Sequence, residues 1–560
     1  MERELCLTRL QVEKDKQNVT CLDEWCLYGM TDVAPYDVVN VKYDTNVSEK
    51  TQRYYEFFLD ILTEYLNGYH NVNHSKRYWR ILLGTWLNHF VDFTYDRYCH
   101  IKKAMKMKQN DVYSVKILNP NDYVTPFDTS SFRELLFSDY FVYQITSDMI
   151  KLFPVNTIEE ETRGRKISLF YKMALNSLQT QYSKRVEAYR LCHKGHICII
   201  KSFQHLFLQS EEDESYAFEE IVVDYPDYYK AKVINNSLER QELVNSSNDV
   251  DEYINIVIKF IVSYIPCIYM ENYCETTQIV RNVIDDKVDY FINEDWHFNE
   301  FLKFVAAQTE CMNGKIISLN PGGLCDVTRF GREEKHEKCL ANYYWSREQG
   351  RHNCWRIPVE RKKSINEKKN SLLFLSAGFY RPYTCSFDDF PVTYEEIEIY
   401  FSSQIEFLET LSIEHKEMLT YRFHPYRHSK EDLLRMERFD IKKSFSGPIE
   451  NCIDEAELVI VDHITTAWFV MLQYNKKYIL FWEKQLYPVT DEFDEILNDM
   501  RAQGLFFDNG RAAAIYLNNI DNLDAWWEEE HRREARKRFS SYMVKLKDKR
   551  PLINDFIENL

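Results

Sequence analysis

The chain has 560 residues, of which 45% are apolar and 15% are aromatic. This length exceeds what one hydrophobic core usually supports, and this composition excludes an intrinsically disordered protein. The 88 acidic residues outnumber the 70 basic ones and give a net charge of −18, which argues against sequence-independent binding of nucleic acid, because such binding needs a basic surface.

The N-terminal segment MERELCLTRLQVEKDKQ is charged and lacks the apolar core of a signal peptide. The most hydrophobic window, residues 254–270, contains Lys259 and Pro266 and is too short to cross a bilayer. Fourteen irregularly spaced cysteines favour reduced thiols. These features predict a cytoplasmic protein.

The sequence pattern changes along the chain. Residues 50–310 carry long, aromatic-rich helical patterns, such as SKRYWRILLGTWLNHFVDFTYDRY and GRKISLFYKMALNSLQTQYSKRVEAYRL, and QNVTCLDEW before them is a candidate strand. From residue 311, short β-rich runs such as GKIISLN, SLLFLSAGF and ELVIVDH alternate with helical stretches. Continuous apolar strands separated by helices are typical of a parallel sheet covered on both faces.

We therefore predict an α/β protein with three parts. Residues 1–310 form a helix-rich domain, and residues 311–525 form a Rossmann-like domain. Residues 526–560 contain the charged pattern DAWWEEEHRREARKRFSSYMVKL, which predicts a terminal amphipathic helix that could pack back on the N-terminal domain.

Polar residues follow several predicted strands, where an open parallel sheet binds its ligands. In ELVIVDHITTAWFV, Asp462 ends a strand, and Thr465 and Thr466 open a helix whose free N–H groups suit a phosphate. In TYRFHPYRHS, Pro425 ends a strand and leaves His424 at the same edge, where it could stabilise a leaving phosphate. A helix cap without a ligand and a histidine satisfied in a loop are the alternatives.

Further candidate residues lie beside these motifs. Arg422 and Arg427 add positive charge around the His-Pro pair, and Ser376 and Gly378 follow the strand at residues 371–375. In SLNPGGLCD, Gly322 and Gly323 would let the backbone approach a ligand closely. A plain turn explains either glycine motif equally well.

The N-terminal half carries a basic patch and a polar helical face. His74 and Arg77 belong to the patch, in NHSKRYWR, and could bind a sugar or an acceptor. Asp92 shares one helical face with His89 and Asp96, and this face could present a base to a cleft. A solvated or internally paired face is the alternative.

Two clusters of cysteine and histidine resemble metal sites. One is CHKGHIC, and the other comprises the residues Cys325, His336, Cys339, His352 and Cys354. Neither has the closely paired cysteines of structural zinc sites, so we predict no metal site.

Five segments together resemble a transferase family encoded in bacterial O-antigen and surface-polysaccharide gene clusters. They are NHSKRYWRILLGTWL at 73–87, EWCLY at 24–28, SAGFYRP at 376–382, RFHP at 422–425, and DHITTAW with NKKYILFW at 462–482. The C-terminal half is also similar to GT-B enzymes, namely CDP-glycerol glycerophosphotransferases and CMP-sugar transferases for Kdo and sialic-acid-like sugars, which use a similar His-Pro pair.

The resemblance implies a GT-B fold, with two Rossmann-like domains facing a cleft and large helical insertions in the N-terminal one. It makes residues 1–310 the acceptor-side domain and residues 311–525 the nucleotide-binding domain. It assigns His424, Pro425, Thr465 and Thr466 to the nucleotide phosphate. The chain departs from the expected Gln-His-Gly-Gly motif, because it has Asn320-Pro321 before the two glycines. Either the missing histidine is dispensable or this member has altered activity.

The leading hypothesis is a metal-independent, cofactor-free glycosyltransferase. It would move a Kdo- or nonulosonate-type acid from a CMP-activated donor to a glycan or lipid-linked acceptor, with peripheral contact at the inner membrane as an option. Asp92, with Glu24 as second choice, would be the base that deprotonates the acceptor hydroxyl. The alternatives are a CDP-polyol phosphotransferase and a non-catalytic scaffold for polysaccharide assembly.

Overall fold

The computed structural model describes most of the chain. The described residues are 2–13, 16–27, 36–43, 46–107, 112–164, 185–193, 196–200, 217–223, 240, 243, 251–284, 287–294, 296–320, 324, 326–329, 332–347, 356–377, 394–424 and 430–549. Three large β-sheets organise them, and we name these the first, middle and third sheets. Residues Pro358–Glu360 and Lys545–Lys547 form an additional two-stranded parallel sheet.

The first sheet is entirely parallel, in the order β3-β2-β1-β4-β5. Its strands are β1 (Glu2–Cys6), β2 (Val19–Cys21), β3 (Asp37–Val38), β4 (Val112–Ile117) and β5 (Asn156–Glu159), and the helices of this part are α1 (Val47–His70), α2 (Lys76–Met107), α3 (Thr129–Leu135) and α4 (Asp139–Ile150). The strand expected within QNVTCLDEW is β2, and β1 precedes it. The order of strands reverses between β1 and β4, as in Rossmann-like sheets.

The middle sheet is mixed, in the order β11-β10-β9-β7-β6-β8. Its strands are β6 (Arg185–His193), β7 (His196–Ile200), β8 (Ala217–Val223), β9 (Tyr290–Glu294), β10 (Lys315–Asn320) and β11 (Tyr343–Ser346), with helices α5 (Glu252–Val257), α6 (Tyr273–Val283), α7 (Glu300–Cys311) and α8 (Arg332–Leu340). Strands β7, β9, β10 and β11 are parallel, whereas β6 is antiparallel to both of its neighbours.

This sheet corrects two expectations. The helical pattern that ends in SKRVEAYRL is wrong over Arg185–His193, which is strand β6, because pairing with β7 and β8 outweighs the local pattern. The described residues of the cluster CHKGHIC belong to the end of β6 and the start of β7, which pair antiparallel with Cys192 opposite Ile197. Residue 311 marks no change of sheet, because β10 and β11 pair with β9.

The C-terminal part contains the third sheet, entirely parallel, in the order β15-β14-β13-β16-β17-β18. The strands of this part are β12 (Pro358–Glu360), β13 (Leu372–Leu375), β14 (Leu419–Arg422), β15 (Lys442–Ser444), β16 (Leu458–Val461), β17 (Lys477–Phe481), β18 (Phe506–Phe507) and β19 (Lys545–Lys547). Its helices are α9 (Tyr394–Thr410), α10 (Ile413–Met418), α11 (Lys430–Glu437), α12 (Ile449–Glu455), α13 (Ala467–Gln473), α14 (Asp491–Ala502), α15 (Gly510–Asn518), α16 (Leu523–Glu528) and α17 (Glu530–Met543).

Strands β16 and β17 are buried along their whole length, as expected for a parallel sheet with helices on both faces. The prediction of an α/β protein with two Rossmann-like sheets is confirmed by the first and third sheets. The middle sheet is additional and was not predicted.

Two large hydrophobic cores hold these layers, and a smaller third cluster consists mainly of middle-sheet residues. The first and middle sheets share one core, which includes the fully buried Trp79 and Trp86 of α2, and the third sheet has its own. Helix α2 is buried around most of its circumference because it packs against α1, α7 and α8. The terminal helix α17 packs on the third-sheet core through Phe539. Among the described helices, none combines the length and hydropathy that a membrane span requires.

Candidate functional site at the strand ends

Three predicted motifs meet at the carboxyl edge of the third sheet. Leu375, the last residue of β13, pairs with the last residues of both neighbouring strands, β14 and β16. Ser376 and Asp462 therefore leave the sheet at the same level, and His424 follows β14 beside them. The strand order also reverses between β13 and β16, and a crevice at such a switch point is where open α/β sheets bind ligands.

A buried glutamine on α9 ties this edge together. The amide nitrogen of Gln404 lies 2.5 Å from Asp462 Oδ2, 2.6 Å from the Tyr400 hydroxyl and 3.1 Å from Ser376 Oγ, while its oxygen accepts a hydrogen bond of 2.9 Å from the Tyr421 hydroxyl. Sequence reasoning missed Gln404, whose signal is an amide on the apolar face of a predicted helix. The network holds the polar residues of three neighbouring strands in one arrangement.

Asp462 positions the neighbouring histidine. Its carboxylate is 1% exposed, and its Oδ1 lies 2.8 Å from Nδ1 of His463. A carboxylate acceptor keeps the proton on Nδ1 and leaves Nε2 for another partner. Asp462 was predicted to contact phosphate, but a buried carboxylate that is bound to Gln404 and His463 suits an orienting role. His463, which sequence reasoning did not select, takes its place as the group that can meet an anion.

The remaining phosphate candidates are placed as follows. The hydroxyl of Thr465 accepts a hydrogen bond of 3.3 Å from the Ala467 amide, and Thr466 is exposed at the start of the seven-residue helix α13. Five candidates lie outside the described residues: Gly322, Gly323, Gly378, Pro425 and Arg427.

Arg422 stabilises the third sheet instead of facing a ligand. Its side chain is 5% exposed and donates to the carbonyl oxygens of Ser446, at 3.0 Å, and Gly447, at 2.6 Å. Because these carbonyls occupy its guanidinium, the structure argues against the predicted contact with a substrate carboxylate.

A buried ion network lies at the carboxyl edge of the first sheet. Asp23 follows β2 and, together with Asp96 of α2, binds the guanidinium of Arg97. The Tyr43 hydroxyl donates to Asp96 as well. Burial alone would raise the pKa of Asp96, but Arg97 and His100 hold it below its usual value. Asp96 is therefore internally paired, which was the alternative to a base that faces a cleft.

Glu24, the next residue after Asp23, is half-buried at the same edge. Burial raises the pKa of its carboxyl group, and the negative charges of Glu395, Asp23 and Glu398 raise it further. Glu395 and Glu398 belong to α9, in the C-terminal part, and Lys42 reaches Glu395 at 3.0 Å. The ion pair of Lys42 with Glu395 therefore joins the first-sheet part to α9, the helix that carries Gln404.

Helix α2 connects the edges of the first and middle sheets. The Thr85 hydroxyl donates 3.0 Å to the carbonyl of His297, just beyond β9, while Asp96 lies at the first sheet. At 1.5 Å per residue these two positions are roughly 16 Å apart along the helix. Asp92 lies between them on the same face and is 3% exposed, so Glu24 is the more accessible carboxylate.

The middle sheet ends in a buried polar cluster that the sequence did not reveal. Glu337 of α8 accepts hydrogen bonds from Ser318, at 3.4 Å, and from the Tyr344 hydroxyl, at 3.1 Å, and lies 3.1 Å from Nδ1 of His297. Asn320 donates 2.9 Å to the same Tyr344 hydroxyl. Asn320, which stands where the resemblance leads us to expect glutamine, is therefore anchored by the fold.

The basic patch before α2 lies at the opposite, amino edge of the middle sheet. Arg77 binds the Glu310 carboxylate at 2.9 Å and the Leu340 carbonyl at 2.5 Å, close to where β10 and β11 begin. The His74 ring stacks 3.8 Å from that of Tyr78, and burial lowers the pKa of His74. Both predicted contacts with sugar or acceptor are thus far from the edge where ligands bind, and these residues join α2 to its neighbours.

Within the described ranges, no group of three or more His, Cys, Asp or Glu residues is placed to hold a metal ion. His336 of the second cysteine-histidine cluster is buried beside Gly84 of α2. Cys325, His352 and Cys354 lie outside those ranges.

A family model described as LIC12162 family transferase matches residues 3–557. The chain belongs to this transferase family. No curated protein sequence matches it.

Solved glycosyltransferase structures resemble the chain loosely. The spinosyn rhamnosyltransferase SpnG is 9% identical, with 51% of this chain and 76% of that one covered at a TM-score of 0.29. SnogD from Streptomyces nogalater is 10% identical, covering 52% and 75% at 0.27. The UDP-forming α,α-trehalose-phosphate synthase from Burkholderia xenovorans is 8% identical, covering 55% and 81% at 0.31. Structural similarity at these TM-scores is too low to indicate the function of this transferase family member.

Proposed function

We propose that this transferase is a GT-B-type glycosyltransferase that moves a Kdo- or nonulosonate-type acid from a CMP-activated donor to a surface-polysaccharide acceptor at the cytoplasmic side of the membrane. Membership of a transferase family supports group transfer. The observation that carries the proposal is a pair of strand-order reversals, one in the first sheet and one in the third, together with the Lys42–Glu395 ion pair that joins the first-sheet part to α9. A donor and an acceptor each need such a crevice.

On the donor side, His424 and His463 would contact the phosphate. Protonated imidazoles can stabilise the charge that develops on a leaving phosphate without a metal ion. Asp462 holds the His463 ring and Gln404 holds Asp462, so this arrangement is preorganised. The CMP assignment rests on the resemblance of the His424–Pro425 pair, and Arg427 takes over the role of carboxylate contact, because Arg422 is occupied.

On the acceptor side, Glu24 would act as the general base. The acceptor hydroxyl oxygen forms a bond to the anomeric carbon while the bond from that carbon to the phosphate oxygen breaks. The hydroxyl proton passes to Glu24, and the electron pair of the broken bond leaves on the phosphate of CMP. A raised carboxyl pKa makes Glu24 a stronger base at neutral pH than an exposed glutamate.

Thermal-shift screening against CMP, CDP and UDP tests the site, because a ligand that binds only the folded state must stabilise it. We expect CMP to raise the melting temperature, and His424→Ala to abolish the shift. The exposed histidine variant His531→Ala serves as the matched control and should keep it. If none of the three nucleotides changes the melting temperature, the result contradicts a nucleotide site here.

Release of CMP from CMP-Kdo and CMP-nonulosonates, compared with turnover of CDP-glycerol, identifies the donor. We expect release from the CMP-ulosonates. Turnover of CDP-glycerol alone would assign polyol-phosphate transfer instead. If His424→Ala and Glu24→Gln both leave glycan production in cells unchanged while deletion of the chain abolishes it, a scaffold role replaces the enzymatic one.

A further inference from the structure

A cavity of about 720 Å³ lies at the amino edge of the third sheet, on the side away from the strand ends described above. It is enclosed by the turn between α13 and β17, by one face of α17, and by the residues that follow β12. This volume is in the range of pockets that bind small molecules. None of its lining residues belongs to the candidate donor or acceptor site.

The lining is strongly basic. Its unburied cationic residues are Arg361, Lys362, Arg533, Arg536 and Lys537, and its acidic residue is Glu528. A chain with a net charge of −18 has concentrated these cations in one place. Their ion pairs are loose and exposed, since Arg361 lies 3.7 Å from Asp548 and Lys537 lies 4.0 Å from Glu534, so both cations can turn toward a ligand.

A sixth cation, Lys476, also lines the wall but serves the fold. It is buried and its ammonium group binds the Glu367 carboxylate at 3.0 Å and the Ser364 hydroxyl at 2.7 Å. The cations that remain to neutralise a ligand are therefore those on α17 and beyond β12.

The inner wall of the cavity contains two unsatisfied donors. Arg536 stacks 3.7 Å from the centre of the Trp527 ring and donates 2.8 Å to the Trp527 carbonyl, but its buried Nε has no hydrogen-bond partner within the described chain. The hydroxyl of Tyr478, in a side chain 1% exposed, is likewise buried without one there. A buried donor without an acceptor is unfavourable, so a ligand that brings an acceptor to these groups would be stabilised here.

The rest of the lining is mixed: Gln473, Asn475, Ser540 and Ser541 are polar, and an apolar surface lies beside them. Leu472, Val544 and Leu546 complete a surface that begins with the rings of Tyr478 and Trp527. Cations on one wall and apolar groups on the other fit a ligand with an anionic head and an apolar or aromatic body. We propose that this cavity is a binding site for a phosphate group, carried by either a soluble phosphate compound or an anionic phospholipid, and that it is separate from the transfer site.

Two binding arms distinguish the sources of phosphate. In the first, pyrophosphate is titrated into the full-length chain and the heat of binding is measured. In the second, the chain is sedimented with vesicles of phosphatidylcholine containing phosphatidylglycerol, and with vesicles of phosphatidylcholine alone. We expect binding in at least one arm. Binding to pyrophosphate identifies a soluble ligand, and binding only to the anionic vesicles identifies a headgroup.

Charge removal assigns the binding to this cavity. Arg533→Gln combined with Lys537→Gln should weaken it roughly thirtyfold, because each basic residue near an anionic group contributes on the order of 1 kcal/mol. The control is Lys484→Gln with Arg538→Gln, which removes the same charge from exposed positions outside the cavity. Tyr478→Phe, which keeps the ring, should weaken binding severalfold.

Each result bears on the proposal. Absence of binding in both arms, or equal binding by the cavity variant and the control, overturns it. His424→Ala should leave this binding unchanged, and a loss in that variant would place the ligand at the strand ends instead. The outcome is independent of the proposed glycosyl transfer, because no donor sugar is present.

Discussion

Replacing Glu24 by glutamine distinguishes a catalytic role of its carboxylate from a structural role. Glutamine keeps the size of the side chain but can neither accept the acceptor's proton nor carry charge. General-base catalysis contributes about a hundredfold to ten-thousandfold to a rate, so we expect kcat to fall within that range. If Glu24 only supported the fold, its substitution would lower the stability of the protein instead of kcat.

The same substitution should not lower stability. Burial and the charges of Glu395, Asp23 and Glu398 raise the pKa of Glu24, so the folded state binds its proton more tightly than the unfolded state does. Stability attributable to Glu24 is then lost as pH rises from the unfolded pKa through the folded one. Above that window the glutamine variant should melt at the same temperature as the wild type or higher, and below it the two should converge.

The assay combines CMP release with thermal denaturation, each measured across the acidic and neutral range. Glu395→Gln is the matched control, because it removes a neighbouring negative charge without touching the proposed base. It should lower the pKa of Glu24 and move the acidic limb of the pH–rate profile to lower pH, since the base acts when deprotonated. The exposed ion pair of Glu395 with Lys42 contributes little to stability.

Retention of more than half the wild-type rate by Glu24→Gln would refute the assignment of the base. So would an acidic limb that Glu395→Gln leaves in place. A fall in rate accompanied by an equal fall in melting temperature at neutral pH would show that Glu24 serves the fold.

Three further substitutions test how the structure is held. Gly84→Ala should lower the free energy of unfolding, measured by chemical denaturation, by about 1–3 kcal/mol, because the new Cβ would lie 2.1 Å from a buried histidine on α8. Gly68→Ala is the control and should instead stabilise α1, because its Cβ meets nothing within 4 Å. Gln404→Leu should lower the unfolding free energy by roughly 2–4 kcal/mol by stripping donors from the buried carboxylate of the Asp-His pair, whereas the exposed control Gln278→Leu should change it by less than ~0.5 kcal/mol. Burial and a neighbouring glutamate raise the pKa of Asp128 to about 6, so the stability of the wild type should fall as pH rises toward 6. Above that pH, Asp128→Asn should be more stable than the wild type by at most ~3 kcal/mol. An unchanged pH–stability curve would contradict this.

The four central strands of the third sheet, β14, β13, β16 and β17, were readable from the sequence because their burial demands continuous apolar runs. The runs LVIV and KYILF, in β16 and β17, show this directly. Their carboxyl ends in turn located Ser376, His424 and Asp462 at one edge, since parallel strands end on the same side. Composition and local pattern are sufficient for such inferences.

Of the middle sheet, the run GKIISLN was read correctly as a strand, β10, but the sheet as a whole could not be read in this way. Strand β6 carries polar and charged residues in alternation with apolar ones over a segment that also fits a helix, and only its pairing with β7 and β8 selects the extended form. The grouping of β10 and β11 with β9, rather than with the strands that follow, likewise depends on long-range contacts.

By itself, the sequence determined the α/β class, the central strands of the third sheet and the edge at which polar residues gather, because apolar burial and strand direction are local properties. Only the tertiary structure decided what those residues do. It brought Gln404 to Asp462 across 58 residues of chain, occupied Arg422 with backbone carbonyls, and set Glu24 against the acidic start of α9. Partners and pKa shifts follow from which side chains packing brings into contact, and that is a property of the whole fold.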